Sequence, residues 1–521
     1  MVAVGLVYGR SLGFEFVWDD ISLVLHPVYA NFDWKAVLTG PGNGLEYLPV
    51  RDLSLMLDHA LFGPRPFGFH AVNVLLFTAA AGLVYVLYAS LLAASREEPM
   101  RARAAELAVL SSLVFALHPL QVEPVAFVAQ RNTLLATLLS ICALLSHLHY
   151  SQRRSASAYT LSLLFTAAAL LSKASAVCLP FLLLVVHLYC SRGEALLRVI
   201  RTLLPHLLLA MAVVGLHLFV SQATGLARQG LSPVELLTRL PRAVFVPEFY
   251  LLQFLWPAEL TIEYDLDVYR SRPIVYGTGA LLLMGAWAIL VIRGWRDRTW
   301  VWLCATGLAF AILPVTNVIP THPPVADRYV QLLLVWLAPL VCVPLAIRLP
   351  RRLAFVIGSV LLLGLAILSS RQLPVWQDDE ALYRHAIAVN PGARQALRNL
   401  GVVLTGAGRV EEAIPFFEQL AAVDPDDFHL DFALGSLALR DARLEEAEVL
   451  LRSAARKRGE FRFLVDMKLG ELHLQRGEVE AAREAYQRAH RAAARVPHAE
   501  AQRRSIEVQL RRIRAQQRRR N

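Results

Sequence analysis

Charged residues are scarce in this sequence: they make up 18% of its 521 residues, whereas hydrophobic residues make up 56%. Soluble globular proteins carry about 25% charged and about 45–50% apolar residues. Together with a mean hydropathy of +0.46, this shortage of charge excludes a soluble globular protein. The composition predicts a chain that crosses a membrane many times.

Cysteine is also rare, and its five copies all lie within apolar runs: Cys142, Cys178, Cys190, Cys304 and Cys342. Because they lack metal-ligand spacing, they indicate neither a disulfide framework nor a zinc site.

A basic leader is absent as well, so we expect no cleaved signal peptide. The first apolar run is short against the roughly 20 residues that a span needs. We expect a tilted span completed by Phe14, Phe16 and Trp18, or else a start codon assigned too far downstream.

Basic residues outnumber acidic ones, 52 to 42, which gives a net charge of +10. In a membrane chain, arginines belong in cytoplasmic loops and at headgroups, so nucleic acid is not expected as a partner. Arginine clusters follow several apolar runs, among them Arg96, Arg101, Arg103, Arg293, Arg296, Arg298, Arg348, Arg351 and Arg352. Placing each cluster in the cytoplasm predicts about eleven spans if residues 231–256 do not fully cross. The region after residue 370 then lies outside the cytoplasm.

Two adjacent carboxylates, Asp19 and Asp20, follow the first apolar run at the predicted outer edge of the membrane. A carboxylate there keeps its charge and reaches a substrate whose tail lies in lipid, which suggests a general base. The alternative is that the pair only marks the solvated end of a helix. Residues 21–65 are too polar to cross and predict an extracytoplasmic loop with short helices.

Three cations are predicted at the outer ends of spans, on the side of the acid pair: Arg131, Lys173 and Arg328. Lys173 lies in a polar break, residues 172–175, between two short spans. Cations and carboxylates at one surface suit a substrate that has a phosphate and a hydroxyl to be deprotonated. The alternative is that each basic side chain reaches lipid headgroups. Glu123, in a proline-bracketed turn, is predicted to brace that turn.

After Trp376 the composition changes and a repeat of 34 residues begins. Small and large apolar residues recur together in three sets: Leu400, Gly401, Ala413 and Phe417; Leu434, Gly435, Ala447 and Leu451; and, with one insertion, Leu469, Gly470, Ala482 and Tyr486. This spacing is typical of tetratricopeptide repeats, paired helices whose stack has a concave groove for peptide or protein. Residues 378–391 predict a helix of an earlier half-repeat. The arginine-rich helix at 498–520 could cap the stack or touch headgroups, and solvation is the simplest expectation.

A series of motifs, in this order, resembles the transmembrane and tetratricopeptide-repeat protein O-mannosyltransferases and their bacterial relatives: residues 16–20, 66–73, 118–126, 172–173, 179–181, 327–329 and 376–391. The resemblance covers nearly the whole chain. It implies an all-α protein with a GT-C type membrane helix bundle at residues 1–370, whose first outer loop is 19–66. A periplasmic tetratricopeptide-repeat α-solenoid follows at 371–521.

The resemblance also implies a multi-pass glycosyltransferase of a bacterial inner membrane, with its site and repeats on the periplasmic side. The donor would be a polyprenyl-phosphate sugar, by extrapolation mannose, and the acceptor a Ser or Thr hydroxyl of a protein, without a metal or other cofactor. Asp19 would be the catalytic base and Asp20 its acidic catalytic neighbour. The predicted substrate-binding residues are Arg328, Lys173, Arg131, Tyr329, His70 and Arg51. The alternative is a non-catalytic membrane scaffold that recruits envelope proteins through its repeats.

Overall fold

The structure is a computed structural model, and it describes residues 1–42, 46–191, 194–223, 233–266, 273–316, 318, 323–457, 463–494 and 500–520. Residues 43–45 of the predicted outer loop and residues 231–232 of the predicted non-crossing segment lie outside this set. The chain divides into two compact units, Met1–Ala381 and Leu382–Asn521. Both are built from helices, which confirms the all-α class.

The first unit contains helices of very different length. Its longer α-helices are Pro49–Phe62, Pro66–Ala93, Ala104–Leu117, Arg131–Arg153, Ala156–Ser172, Leu179–Cys190, Leu196–Ala223, Pro233–Leu255, Pro273–Gly294, Trp300–Ile312, Gln331–Arg348 and Arg351–Gln372. Its shorter α-helices are Val2–Tyr8, Asp19–Val24, Pro27–Ala30, Trp34–Thr39, Glu98–Ala102 and Val122–Ala126, and Asp379–Val389 begins here. Its 3-10 helices are Gly9–Gly13, Pro119–Gln121, Val128–Gln130, Ala174–Cys178, Leu313–Val315, Asp327–Tyr329 and Leu373–Trp376.

Within the described residues, six helices are long and apolar enough to cross a membrane: Pro66–Ala93, Val128–Arg153, Leu197–Val220, Tyr276–Gly294, Gln331–Arg348 and Arg351–Trp376. The pair Ala104–Leu117 and Pro119–Ala126, bent by 57°, is a seventh if it forms one broken span. These are the helices of a multi-pass membrane protein. Reaching the predicted eleven without residues 231–256 would need the first apolar run and three shorter apolar helices to cross as well, and that number stays a prediction; the three are Ala156–Ser172, Ala174–Cys190 and Trp300–Val315. A further short apolar helix, Val244–Leu255, lies in the segment that is predicted not to cross fully.

The first apolar run is not one continuous helix as far as Trp18. Its α-helix ends at Tyr8, a 3-10 helix follows over Gly9–Gly13, and the backbone at Phe14 is extended. The expectation that Phe14, Phe16 and Trp18 lengthen this helix is therefore wrong. One face of the short helix is packed into the bundle, where the buried Tyr8 hydroxyl donates to the Ala116 carbonyl at 3.2 Å, while Val2 and Leu6 are exposed.

The polar break predicted at residues 172–175 is confirmed. One helix ends at Ser172, Lys173 is extended, and the 3-10 helix Ala174–Cys178 leads into the next α-helix. Proline at position 180 lies in the first turn of that helix, where the missing N–H removes no hydrogen bond. The break places a lysine between two apolar helices rather than within one.

The second unit consists of paired helices, as the 34-residue spacing predicts. The pairs are Arg394–Gly406 with Val410–Val423, His429–Arg440 with Leu444–Arg456, and Phe463–Gln475 with Val479–Ala493. A glycine in the first helix of a pair faces a large side chain in the second. A Cβ added to Gly401 would lie 2.3 Å from the Phe417 ring, and one added to Gly470 would lie 2.8 Å from the Tyr486 ring. The recurring glycines therefore set how closely the paired helices approach.

The arginine-rich helix, Glu500–Arg520, is not simply solvated. Its buried residues Ile506, Leu510 and Ile513 join an apolar cluster with Phe463 and Tyr486 of the last pair. Its other face carries arginines in solvent. The helix therefore caps the stack, which is one of the alternatives that the sequence leaves open.

Candidate active site

The acid pair begins the short helix Asp19–Val24, and the residue before it has an unusual backbone. Trp18 has φ 52° and ψ −117°, a region that costs a non-glycine residue on the order of 1–3 kcal/mol. Its N–H donates to Asp379 Oδ1 at 2.7 Å, which helps to hold this conformation. Because strained residues concentrate at functional sites, this turn is a candidate site.

Phe127 connects the strained turn to a distant segment. Its ring stacks on the Trp18 indole, with centroids 5.4 Å apart, and on the Trp376 indole, with centroids 5.3 Å apart. Trp18 belongs to the N-terminal segment, Phe127 follows the bent helix pair, and Trp376 lies at the end of the last long apolar helix. The stack fixes these segments relative to one another.

Asp20 anchors the turn from inside the protein. It is fully buried, and its two carboxylate oxygens accept hydrogen bonds from the N–H groups of Ala129 at 2.6 Å and Val17 at 3.2 Å. Burial raises the pKa of Asp20 well above its ordinary value, although the backbone donors oppose that shift. With both oxygens engaged in the interior, Asp20 is a positioning residue rather than the catalytic residue that the sequence predicts.

Asp19 differs from its neighbour because its side chain is exposed. The protein around it still removes enough water to raise the pKa of Asp19; the charge of Arg328 opposes this shift and that of Glu46 adds to it. A carboxylate with a raised pKa is a stronger base when ionised. Asp19 is therefore the member of the pair that can take a proton from a substrate.

Arg328 lies buried in the 3-10 helix Asp327–Tyr329, where Glu123 neutralises it. Its Nη1 donates to Glu123 Oε1, and its backbone N–H donates to Glu123 Oε2 at 2.9 Å. The guanidinium lies 5.7 Å from the centroid of the Trp18 ring. A guanidinium has five N–H donors and its side-chain pairing with Glu123 uses one, so it retains donors for a phosphate. Glu123 thus positions Arg328 as well as bracing its turn, a contact between residues 205 positions apart that the sequence analysis missed.

Lys173 approaches Arg328 from the polar break between two apolar helices. Its Nζ donates to Thr133 Oγ1 at 2.5 Å and lies 5.6 Å from the centroid of the Tyr329 ring. Burial and the nearby charge of Arg328 lower the pKa of Lys173 to about 7. The Arg328 guanidinium lies 5.3 Å from the same Tyr329 ring. Both cations therefore lie near the same aromatic ring.

These three residues line a small polar pocket together with four hydroxyl-bearing residues: Thr133, Thr137, Ser140 and Ser175. The pocket has a volume of about 20 Å³, which is about the space of one ordered water. As it stands, the pocket is too small to enclose a phosphate, so a phosphate would be bound at its edge or after side chains around it move. Cations and hydroxyl donors are the groups that a phosphate would require.

Arg131 is not part of this pocket. It is fully buried and forms an ion pair with Asp58, with Nη1 2.7 Å from Asp58 Oδ2. It donates to Ser54 Oγ at 2.9 Å, to the Phe69 carbonyl at 2.9 Å and to Asn73 Oδ1. A guanidinium engaged on all three nitrogens inside the protein has a structural role. This geometry corrects the predicted phosphate contact of Arg131.

His70 is likewise internal. It is fully buried, its Nε2 lies 3.3 Å from the Glu15 carbonyl oxygen, and its ring meets Phe14 edge-on at 6.3 Å. These contacts support the segment that leads to the acid pair. His70 therefore supports the backbone that leads to the candidate site. Because its side chain is fully buried, it does not make the predicted contact with a substrate.

Arg51 is connected to the candidate site through the carboxylate of Glu46. Its Nε donates to Asp52 Oδ1 at 2.8 Å and its Nη1 to Glu46 Oε2 at 3.2 Å. The charge of Glu46 in turn adds to the raised pKa of Asp19 and opposes the lowering of the pKa of Lys173. Glu46 is a residue of the site that the sequence analysis missed, because only the folded outer loop brings it near the acid pair.

The C-terminal part of the chain matches the family model described as tetratricopeptide repeat, over residues 379–428 and 432–497. The repeat prediction is therefore confirmed. The 34-residue period was sufficient to predict it because each repeat packs mainly against its neighbours in sequence.

The chain is similar to protein O-mannosyl-transferases. It is 34% identical over 154 residues to protein O-mannosyl-transferase TMTC1 of Mus musculus, which covers 27% of this chain and 15% of that protein. It is 22% identical over 506 residues to protein O-mannosyl-transferase TMTC3 of Mus musculus, which covers 85% of this chain and 53% of that protein. These comparisons confirm the predicted resemblance. The chain spans about half the length of TMTC3 and less of TMTC1.

A solved structure also shows a weak likeness: ArnT from Cupriavidus metallidurans bound to undecaprenyl phosphate. The identity is 17% and the TM-score 0.39, over 95% of this chain and 80% of that chain. A TM-score of this size carries no argument about the chemistry of this chain.

Proposed function

We propose that this protein is a GT-C type membrane glycosyltransferase that moves a sugar from a polyprenyl-phosphate donor to a Ser or Thr hydroxyl of a protein acceptor. The observation that carries the proposal is the arrangement at the strained turn. Exposed Asp19 follows Trp18, and the ring of Trp18 lies against the guanidinium of Arg328. The similarity to protein O-mannosyl-transferases supports this reaction class and mannose as the sugar.

In this mechanism Asp19 accepts the proton of the acceptor hydroxyl while the hydroxyl oxygen attacks the anomeric carbon. The bond between that carbon and the phosphate oxygen breaks, and the electron pair leaves with the polyprenyl phosphate. Arg328 and Lys173 stabilise the charge that develops on this leaving group. A single displacement of this kind inverts the configuration at the anomeric carbon.

The two units would have different roles, donor binding in the first and acceptor binding in the second. The polyprenyl chain would reach the site through the bilayer around the apolar helices, and the repeats would hold the acceptor protein, since stacked helical repeats present extended concave surfaces.

We propose that the site and the repeats both face the periplasm of a bacterial inner membrane. A reporter fused after Arg371 should then be periplasmic and one fused after Arg296 cytoplasmic. A cytoplasmic result for the first fusion would contradict this orientation.

The function is tested by transfer of radiolabelled sugar from a polyprenyl-phosphate donor to acceptor protein by the purified full chain. Asp19→Asn should lower the transfer rate by at least a hundredfold, because the amide cannot accept the proton. Glu15→Gln is the matched control: it removes an exposed acid four positions away and should leave transfer unchanged. Full transfer by a well-folded Asp19→Asn variant would favour the non-catalytic scaffold instead.

A further inference from the structure

An apolar groove runs along the first unit, between the helices Ala104–Leu117 and Arg351–Gln372. We call it the lateral groove, and its volume is about 1050 Å³. Its apolar walls include Val109, Leu110, Leu113, Phe355, Gly358 and Leu362. Typical small-molecule pockets hold roughly 300–1,000 Å³, so the lateral groove is slightly larger than that range.

The lining residues of the groove differ in size and in exposure. A Cβ added to Gly358 would lie 3.2 Å from Leu110 Cδ1, so the two helices meet closely there. At the rim, Val109 is 45% exposed and Phe355 is 76% exposed. Exposed apolar side chains on membrane helices face lipid chains. The groove is therefore a concave part of the lipid-facing surface.

Basic side chains line one end of the groove: Arg103, Arg351 and Arg352. The acid at this end, Glu106, accepts a hydrogen bond from Arg103 Nε at 3.1 Å and lies 3.5 Å from Arg351 Nη2. Arg103 also donates to the Ala346 carbonyl at 2.9 Å. Three guanidinium groups against one carboxylate leave an excess of positive charge beside apolar walls.

We propose that the lateral groove binds an anionic phospholipid, with an acyl chain against the apolar walls and the phosphate against Arg351 and Arg352. Both side chains are exposed, so they can turn toward a headgroup. Basic pockets between membrane helices favour anionic headgroups by about 1 kcal/mol for each cation near the surface. This site is separate from the polar pocket around Lys173, because the two share no lining residue.

The proposal is tested by native mass spectrometry of the full chain in detergent, titrated with phosphatidylglycerol or with phosphatidylcholine of the same acyl chains. We expect phosphatidylglycerol to be retained at least tenfold more tightly. The double variant Arg351→Gln/Arg352→Gln should weaken its retention by about thirtyfold, which is about 1 kcal/mol per arginine. The control Arg293→Gln/Arg296→Gln removes two exposed arginines at the end of another apolar helix and should change retention less than twofold.

A second pair of variants tests the apolar walls without relying on charge. Val109 lines the groove and its side chain is partly exposed, so Val109→Trp adds bulk to the groove. This variant should lower retention of both lipids. Val360→Trp, at a residue that is 67% exposed but does not line the groove, is its control. Equal retention of the two lipids, or unchanged retention in the arginine double variant, would overturn the proposal. Displacement of phosphatidylglycerol by an equimolar polyprenyl phosphate would also overturn it, since the groove would then be a donor-lipid site.

Discussion

The backbone N–H of Trp18 donates a hydrogen bond of 2.7 Å to the carboxylate of Asp379, although the two residues are 361 positions apart. Trp18 is the strained residue directly before the exposed Asp19 and the buried Asp20. A segment that follows the last long apolar helix thus holds the turn that begins the candidate site.

This contact predicts that Asp379→Ala lowers transfer although the residue touches no reacting atom. Losing the acceptor leaves the Trp18 N–H unpaired, at a penalty of about 1–3 kcal/mol, and lets the strained turn relax. We expect kcat to fall about tenfold with a smaller change in the donor KM, because the position of Asp19 changes while Arg328 remains. Asp379→Asn retains a carbonyl acceptor and should restore most of the rate. If the alanine variant transfers sugar at the wild-type rate, Asp379 does not position the turn.

The residue pattern predicted where the acid pair lies, and the family resemblance predicted Asp19 as its base, but neither predicted the contacts that make the two acids differ. Asp19 and Asp20 are chemically identical neighbours, and their difference arises from the N–H of Ala129, 109 positions away from Asp20. Periodicity and spacing carry no information about such a contact. The repeats were predictable in detail because their decisive contact, Gly401 against Phe417, is local.

The different environments of the basic residues could not be predicted from the sequence either. Arg131 and Arg328 both occur at the ends of apolar segments, and the sequence analysis gave them the same role. Folding surrounds Arg131 with four internal acceptors, whereas it pairs Arg328 with Glu123 beside the strained turn. The difference depends on which helices become neighbours, which is a tertiary property.

Two arginine variants should therefore fail in different ways. Arg328→Ala should raise the donor KM about 10- to 150-fold, because a hydrogen bond to a charged group contributes about 1.5–3 kcal/mol. Arg328→Lys should recover only part of this loss, since an ammonium lacks the planar fork. Arg131→Ala should leave the donor KM unchanged and lower the thermal unfolding midpoint, because it leaves buried Asp58 unpaired at a penalty of about 3–5 kcal/mol. Arg328→Ala leaves buried Glu123 unpaired and should lower the midpoint as well, so the donor KM is the measurement that separates the variants. Donor titrations and thermal melts in the same detergent distinguish the two outcomes, and an unchanged donor KM in Arg328→Ala would contradict the phosphate role.

Donor binding should also depend on the ionisation of Lys173. Its pKa is lowered to about 7 by burial and by Arg328, so the amine is charged below that pH and neutral above it. The donor KM should consequently rise as the pH increases through 7. In Lys173→Arg the guanidinium stays protonated, and the KM should become nearly constant between pH 6 and 8. A rise of the same size in this variant would show that another group titrates.

The last prediction concerns the packing of the repeats. Gly401→Ala places a Cβ 2.3 Å from the Phe417 ring, whereas Gly406→Ala, in the same helix, meets no atom within 4 Å. The first substitution should destabilise the repeat by about 1–3 kcal/mol through overpacking. The second should stabilise it by about 0.4–1 kcal/mol, because alanine lowers the entropy of the unfolded chain. Hydrogen exchange measured by mass spectrometry should show faster exchange over Arg394–Gly406 and Val410–Val423 in Gly401→Ala and slower exchange in Gly406→Ala. Transfer to a short peptide should persist in both variants while transfer to a full protein acceptor falls in Gly401→Ala. If both acceptors are lost equally, the repeats contribute to the catalytic site itself and not to acceptor binding alone.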